Sequence, residues 1–450
     1  VNSKIYLHRL GCPKLDVDHD LLSSGLSDRG AVFVPEVEQA DTVIISTCAF
    51  IADARAEAVE AMLEGAQWKE EVPGRRLFVT GCLPARYRDT LKKDLPEVDG
   101  WYGPGEFEGI LAEFLPTDRQ NIIAAPDKNA HPGRMNRELE DILSSIRHVE
   151  ESPVAYLKIA EGCNRRCAYC AIPDIRGPYT SRRPGSILSE ASRLLSQGVR
   201  EIIVTAQEVN SYGRDLGDGT TIEALLPRLG ELVAKSDGWL RVLYTHPPLF
   251  SEAFVQALAD TPALVPYLDF PIEHADDSVL KVMGRGTTWS QMARWIDLLR
   301  KKIDRLALRT SIIVGHPGEG ETEFRILMER LYDVRFERLG VFRYSPEEET
   351  RAAKLKAVDS SVAVDREMAV QDLAMEHADE WYAGIVGQEL SVLLERARDE
   401  DGLLEGRSIW DAPDIDGNVI YTGSGKPGDI VRGRVEAAEP YEMTVGPDEL

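Results

Sequence analysis

Strand-like and helix-like runs alternate along most of this chain, and that alternation limits the fold more than any other feature. Residues 41–47 (DTVIIST) and 76–80 (RLFVT) are almost continuously apolar, as strands covered on both faces must be. Residues 51–68, rich in Ala and Glu, read as a helix between them. Residues 4–10 and 31–34 read as two more strands, and 15–26 has helical spacing. Pro84 opens a further helix at a position proline tolerates. This order predicts an α/β domain over residues 1–125, with a mostly parallel sheet under helices. Residues 126–148 are polar, contain Pro126, Pro132 and Gly133, and read as a linker with one short helix at 136–146.

A second alternating block spans 149–379. Its strands are expected at 154–159, 201–205, 241–245, 267–270, 306–314 and 338–344. Helices are expected at 187–197, 222–234, 252–259, 289–301, 321–334 and 362–377. Six βα units predict a partial, TIM-like (βα)6 barrel, since a full eight-unit barrel needs roughly 250 residues. From Trp381 the texture changes to short alternating runs at 390–394, 407–410, 418–421 and 429–435, broken by Gly and Pro. A small antiparallel barrel is expected over 380–450.

The net charge is −24, which argues against direct nucleic-acid binding, because a phosphate-gripping surface must be basic. It argues equally against an anionic lipid surface. Residues 1–10 lack the long apolar core of a signal peptide, and no run reaches the roughly 18 apolar residues of a membrane span. A cytoplasmic protein is expected.

The six cysteines divide into two trios. Cys163, Cys167 and Cys170 form C-x3-C-x2-C within EGCNRRCAYCAIPDIRG, just after the strand at 154–159. Thiolates suit iron–sulfur clusters or zinc. A structural zinc site takes four protein ligands, and no nearby His supplies a fourth here, so one metal position stays open. A zinc knuckle or a set of redox thiols is the plainer alternative. Cys12 (LGCPK), Cys48 (STCAF) and Cys82 (TGCLP) each follow an expected strand and precede an expected helix. Ligands gather outside the carboxyl ends of strands in open α/β sheets, so these three can converge although they lie far apart in sequence. Taken singly, each is as well read as a small buried hydrophobe.

The C-x3-C-x2-C loop after the first barrel strand resembles that of the radical S-adenosylmethionine superfamily. With the second trio and a small terminal barrel, nearly the whole chain resembles the methylthiotransferases of that superfamily. The segments that carry the likeness are LGCPK with Val17–Asp18, CAYCAIPDIRG, YSPEE at 344–348 and DAPDIDG at 411–417. Within that family the chain resembles the bacterial branch that modifies an aspartate β-carbon in protein twelve of the small ribosomal subunit. Three departures stand out: Leu15 in place of the usual Asn, His19–Asp20 in place of an acidic pair, and Glu273 in place of a Gln before His274.

The resemblance implies two 4Fe–4S clusters, one on each trio, and a C-terminal TRAM domain. It implies that one S-adenosylmethionine methylates a sulfur carried at Cys12, Cys48 and Cys82. A second, cleaved at Cys163, Cys167 and Cys170, then yields the 5′-deoxyadenosyl radical that takes hydrogen from the substrate carbon. A sulfur source, sulfide or polysulfide, and an electron donor such as flavodoxin or ferredoxin are expected, and the sequence does not identify either. Tyr169 occupies the position beside the adenine, with plain loop packing as its alternative. Gln207 and Glu208 follow the second barrel strand, facing the amino end of S-adenosylmethionine, or are simply surface polar residues. Ser311 and Gly315 lie near the expected adenine and ribose contacts. Arg309 either points inward there or forms a salt bridge. His246 and His274 end strands and are expected to be packed and hydrogen-bonded.

Two rivals remain at this point: a transfer-RNA methylthiotransferase with the same chemistry, and a non-enzymatic iron–sulfur or zinc module. The last domain weighs against the first. Residues 381–450 hold six Lys and Arg against fifteen Asp and Glu. That balance suits a basic ribosomal protein, free or on the ribosome, better than RNA.

Overall fold

The computed structural model describes residues 3–49, 52–114, 135–149, 152–398 and 402–448. Ile51, the expected start of one helix, and residues 126–134 of the expected linker lie outside the described residues. The chain divides into two compact units. One comprises Val1–Val149, Tyr156–Arg165 and Cys170–Glu190; the other comprises Glu150–Ala155, Arg166–Tyr169 and Ala191–Leu450.

The first unit begins with β1 (Lys4–Arg9), α1 (Pro13–Ser27), β2 (Val32–Phe33), β3 (Thr42–Thr47) and α2 (Ala52–Glu71). It continues with β4 (Arg76–Gly81), α3 (Cys82–Asp94), β5 (Gly100–Tyr102), α4 (Phe107–Glu113) and α5 (Arg137–Ile146). The five strands form a parallel sheet in the order β2-β1-β3-β4-β5. All six residues of the central strand β3 are buried, which is why its sequence is continuously apolar or small. Two details differ from the sequence reading. The helix α3 starts at Cys82 rather than Pro84, with the proline still in the first turn, where its missing N–H removes no helical bond. The edge strand β5 (GWY) is too short to show any period.

The chain then runs through β6 (Val154–Lys158), β7 (Ala160–Glu161), α6 (Ile172–Arg176), β8 (Thr180–Ser181) and α7 (Pro184–Ser196). β7 and β8 pair antiparallel, Ala160 with Ser181 and Glu161 with Thr180, and so close the base of the excursion that carries the C-x3-C-x2-C motif.

The second unit contains β9 (Glu201–Thr205), α8 (Ile222–Ala234), β10 (Trp239–Val242), α9 (Glu252–Asp260) and β11 (Leu264–Asp269). It continues with α10 (Asp277–Met283), α11 (Trp289–Lys302), β12 (Ala307–Val314), α12 (Glu321–Val334), β13 (Arg338–Arg343) and α13 (Ser360–Ile385). Its parallel sheet has the order β13-β12-β11-β10-β9-β6, the first residues of β6 belonging to this unit. Six strands make an open sheet, not a closed eight-stranded barrel. α13 runs eight residues past the expected end at 377, because its buried stripe continues through Leu373, His377, Tyr382 and Ile385 at helical spacing.

The terminal strands are β14 (Glu389–Ala397), β15 (Leu404–Ser408), β16 (Asn418–Tyr421), β17 (Ile430–Glu439) and β18 (Glu442–Pro447). They form a closed barrel in the order β14-β15-β16-β18-β17. One of its pairings, β16 with β18, is parallel, so the barrel is not antiparallel throughout.

A layer of buried charges joins this barrel to the sheet of the second unit, near the amino-terminal ends of the strands. Arg241 Nε donates to Glu201 at 2.6 Å, and Arg407 bonds the same carboxylate. Arg338 Nη2 donates to Asp411 at 2.7 Å, and Tyr267 Oη to Asp416 at 2.7 Å. Trp410 Nε1 donates to the Arg305 carbonyl at 2.9 Å. Each buried charge meets an opposite one, as the cost of desolvation requires.

Candidate functional site

Cys12, Cys48 and Cys82 stand at the carboxyl ends of β1, β3 and β4, three strands that are neighbours in the sheet. Cys12 is the N-cap of α1, Cys48 follows Thr47 directly, and Cys82 opens α3. Gly81 lets β4 end against β3. Its φ is +102°, and a Cβ there would stand 2.4 Å from the Thr47 carbonyl oxygen, so no other residue fits without moving a strand. None of the three cysteines is in a disulfide. Burial pushes the Cys82 thiol up to about 12, Arg176 opposes that rise, and the nearby Cys48 and Cys12 add to it. Cys12 and Cys48 therefore both lie within electrostatic reach of the Cys82 sulfur.

Such a trio fits a thiolate-ligated cluster, because a metal releases the protons that burial otherwise retains. Two helix N-termini, of α1 and α3, favour the negative charge of that assembly. Among the described residues, no three His, Cys, Asp or Glu side chains crowd around a single-ion site.

The second trio lies in the loop between β7 and α6. Gly162, with φ +80°, precedes Cys163, and a Cβ there would come within 2.5 Å of the Pro178 carbonyl oxygen. The Cys163 N–H donates to the Gly177 carbonyl at 3.1 Å. The Arg165 N–H points at the Cys163 sulfur at 3.4 Å, a contact that stabilises a thiolate. In the second unit, Arg285 Nη1 reaches Cys167 Sγ at 3.9 Å and Tyr169 Oη at 3.3 Å, while Nη2 donates to the Pro271 carbonyl at 2.6 Å. Glu273 approaches Arg285 at 3.9 Å. It adopts φ +66°, a strained conformation for a glutamate, and burial raises its pKa against the pull of Arg285.

The Tyr169 ring meets His316 edge-on at 6.1 Å, and His316 meets Tyr344 at 5.1 Å. Burial holds the His316 imidazole down to about 4, so it is neutral at neutral pH. Its Nδ1 donates to the Pro317 carbonyl at 2.8 Å.

The other sequence-derived candidates are distributed unevenly. Gln207 and Glu208 follow β9; Glu208 is buried and accepts from Ser211 Oγ at 2.6 Å. Ser311 lies on β12 and its carbonyl accepts from the Glu273 N–H at 2.8 Å. Gly315 directly follows the same strand and donates its N–H to the Glu319 carboxylate at 3.1–3.2 Å. Arg309 has a different neighbourhood. Its Nη1 pairs with Asp269 at 3.0 Å and its Nε faces Asp416 of the terminal barrel at 3.8 Å. It belongs to the charged layer near the amino-terminal ends, as the salt-bridge reading had it. His274 is fully buried, with Nδ1 accepting from the Asp276 N–H at 2.9 Å and Nε2 3.4 Å from Glu319. His246 is buried, its N–H bonded to Asn210. Sequence reasoning missed Arg285 and His316, which no motif marks. Glu273 was visible only as a departure from the family pattern.

An open parallel sheet that leads into a three-cysteine loop, preceded by a thiol-bearing α/β domain, defines a radical S-adenosylmethionine enzyme with a second thiol site. The Radical SAM superfamily matches residues 157–331, the Uncharacterized protein family UPF0004 residues 4–103, and the TRAM domain residues 386–446. The fold is similar to that of the radical S-adenosylmethionine methyltransferase TsrM from Kitasatospora setae, with a TM-score of 0.57 at 16% identity, covering 77% of each chain. The ribosomal protein uS12 methylthiotransferase RimO of Anaeromyxobacter sp. (strain K) is 39% identical, over 98% of this chain and 92% of its own. Its counterpart in Geobacter sulfurreducens is 37% identical, over 98% and 97%. The chain belongs to the ribosomal protein uS12 methylthiotransferase family.

Proposed function

We propose that this protein is a radical S-adenosylmethionine methylthiotransferase that attaches a methylthio group to the β-carbon of an aspartate in ribosomal protein uS12. The observation that carries this reading is the convergence of Cys12, Cys48 and Cys82 on three adjacent strand ends in a chain that also bears the C-x3-C-x2-C loop. One three-thiol site would serve radical generation alone; a second is needed to carry sulfur.

In this reading Cys163, Cys167 and Cys170 hold one 4Fe–4S cluster and Cys12, Cys48 and Cys82 hold the other. When bound, these groups supply the electron that cleaves S-adenosylmethionine and a carrier for sulfur drawn from sulfide or polysulfide. Tyr169, fixed by Arg285 and edged by His316, forms a wall for the adenine. Gln207, Glu208, Ser311 and Gly315 line the rest of the cofactor's path. Neutral His316 adds no positive charge beside the cationic sulfonium.

The acidic balance of residues 381–450 supports a basic protein substrate, met free or on the ribosome, and weighs against direct RNA binding. Among the described residues no helix is long and apolar enough to cross a membrane. We place the enzyme in the cytoplasm, with a flavodoxin or ferredoxin as electron donor. Mass spectrometry of uS12 coexpressed with this chain tests the reading. The added methylthio mass on an aspartate is expected; modification of transfer RNA alone would overturn it.

A further inference from the structure

Arg176 is the last residue of α6, six residues beyond Cys170 and outside the cysteine loop itself. Its side chain is 2% exposed. Four short contacts account for its position. Nη1 donates to both oxygens of Glu161, at 3.0 and 2.9 Å, and faces Asp18 Oδ2 at 3.3 Å. Nη2 points at the Cys82 sulfur at 3.8 Å. The two carboxylates are also shared with a second buried cation. Lys158 Nζ lies 2.7 Å from Asp18, 3.3 Å from Glu161 and 3.2 Å from Glu140.

These residues come from separate parts of the first unit. Asp18 is on α1, whose N-cap is Cys12. Lys158 ends β6, and Glu161 ends β7, two residues before Cys163. A guanidinium can hold them together because it is planar, permanently charged and able to donate in several directions at once. Arg176 brings this network into contact with a cysteine sulfur. The carboxylates of Glu161 and Asp18 hold the charge in place.

We propose that Arg176 is a positioning residue of the Cys12–Cys48–Cys82 site. Its fixed charge lies against the Cys82 sulfur to offset the negative charge of a thiolate-ligated cluster, and its carboxylate partners lock α1 and the strand leading to Cys163 in register with that sulfur. The inference rests on the reading that this trio holds an iron–sulfur cluster. A cation beside a cluster ligand favours the reduced, more negative state, and hydrogen bonds to the sulfurs and local charge are known determinants of cluster potential. The chain thereby sets the potential of its sulfur-carrying site with a residue supplied by the segment after its radical-generating loop.

The test uses the full chain with Cys163, Cys167 and Cys170 replaced by Ala, reconstituted anaerobically with iron and sulfide, so that one site remains. Iron content, the electron paramagnetic resonance signal and the midpoint potential are read for Arg176 and for R176Q, R176K and K158M. If the Arg176 chain itself takes up no iron, the cluster reading fails, and the proposal falls with it. If it does take up iron, R176Q is expected to lower the midpoint potential by at least a tenfold change in the reduction equilibrium, about 59 mV for one electron. R176K keeps the charge but cannot serve Glu161 and the sulfur together. It is expected to shift the equilibrium by less than R176Q, and it provides a measurable change should R176Q not fold. K158M breaks the same network away from the sulfur and is expected to lower thermal stability with less than a threefold change in the reduction equilibrium. Unchanged potentials in R176Q and R176K, or an equal shift in K158M, would overturn the role assigned to Arg176.

Discussion

Cys12, Cys48 and Cys82 are brought together only by the sheet, whereas Cys163, Cys167 and Cys170 are neighbours in the chain before anything folds. The first site needs three parallel strands in register, a glycine that lets β4 end against β3, and a buried guanidinium beside one sulfur. The second needs a short loop, closed at its base by β7 and β8 and supported at Cys167 and Tyr169 by Arg285. One trio is thus a product of tertiary structure and the other of local sequence. The same grouping, three cysteines to a site, is reached in both ways within one chain.

The largest expected effects separate the two trios outright. Replacing Cys12, Cys48 and Cys82 by Ala should abolish sulfur insertion into uS12 and remove roughly half of the bound iron, as expected for one of two clusters. Reductive cleavage of S-adenosylmethionine should persist. Replacing Cys163, Cys167 and Cys170 should abolish both activities. Iron analysis and chromatography of the cleavage products distinguish these outcomes. Persistent sulfur insertion in the first variant would erase the division of labour.

Next in size is a break confined to the second unit. Asp411→Ala leaves Arg338 buried without its carboxylate partner and should cost about 3–5 kcal/mol of stability. Urea unfolding measures that loss. Iron held by Cys12, Cys48 and Cys82 should be unaffected under native conditions. Gly81→Ala should be somewhat milder in stability, about 1–3 kcal/mol from the left-handed backbone alone. It should nonetheless reduce iron uptake at the topological trio and spare the loop trio, because the added Cβ presses on β3 beside Cys48.

Acid should separate the regions most gently. The folded-state pKa of His316 is held down to about 4 by burial, against an unfolded value near 6.5. Its contribution to stability is complete above about 6.5 and is lost as pH falls from there towards 4. Glu161 behaves differently. Burial pushes its carboxyl up, but Arg176 and Lys158 together outweigh that and hold it at about 2. Its contribution is complete above roughly 4.5 and is lost only as pH falls from there towards 2. Thermal melts across this range should show a first decline, between pH 6.5 and 4, that His316→Asn reduces. A decline unchanged in that variant would assign the sensitivity elsewhere.

The periodic parts of the fold were legible in the sequence. The strands Glu201–Thr205 and Asn418–Tyr421 coincide with their expected bounds, because burial there is set by an uninterrupted apolar or alternating run. β18 (EMTVGP) was missed, since glycine and proline at its end mask a strand that pairing in the barrel stabilises. α10 was missed because its seven residues give too few turns for a period to register. The cysteine motifs were legible because their chemistry is carried by residue type. Arg176 and Arg285 were not, since each acquires its role from a sulfur that the fold brings to it. Arg309 illustrates the converse: the sequence allowed a cofactor contact or a salt bridge, and the ion partners Asp269 and Asp416 that decide for the salt bridge are brought to it only by the fold.

The charged layer beneath the second unit's sheet also bears on how this chain can be divided. Glu201, Arg241 and Arg338 are buried against Arg407, Ile409 and Asp411 of the terminal barrel. A chain cut after Ile385 would expose these groups, along with Tyr267, without the partners they were folded around. The terminal barrel is therefore no detachable cassette. Grafting it onto another enzyme, or trimming it away to obtain a minimal catalyst, calls for redesign of the sheet at Glu201, Arg241 and Arg338 together.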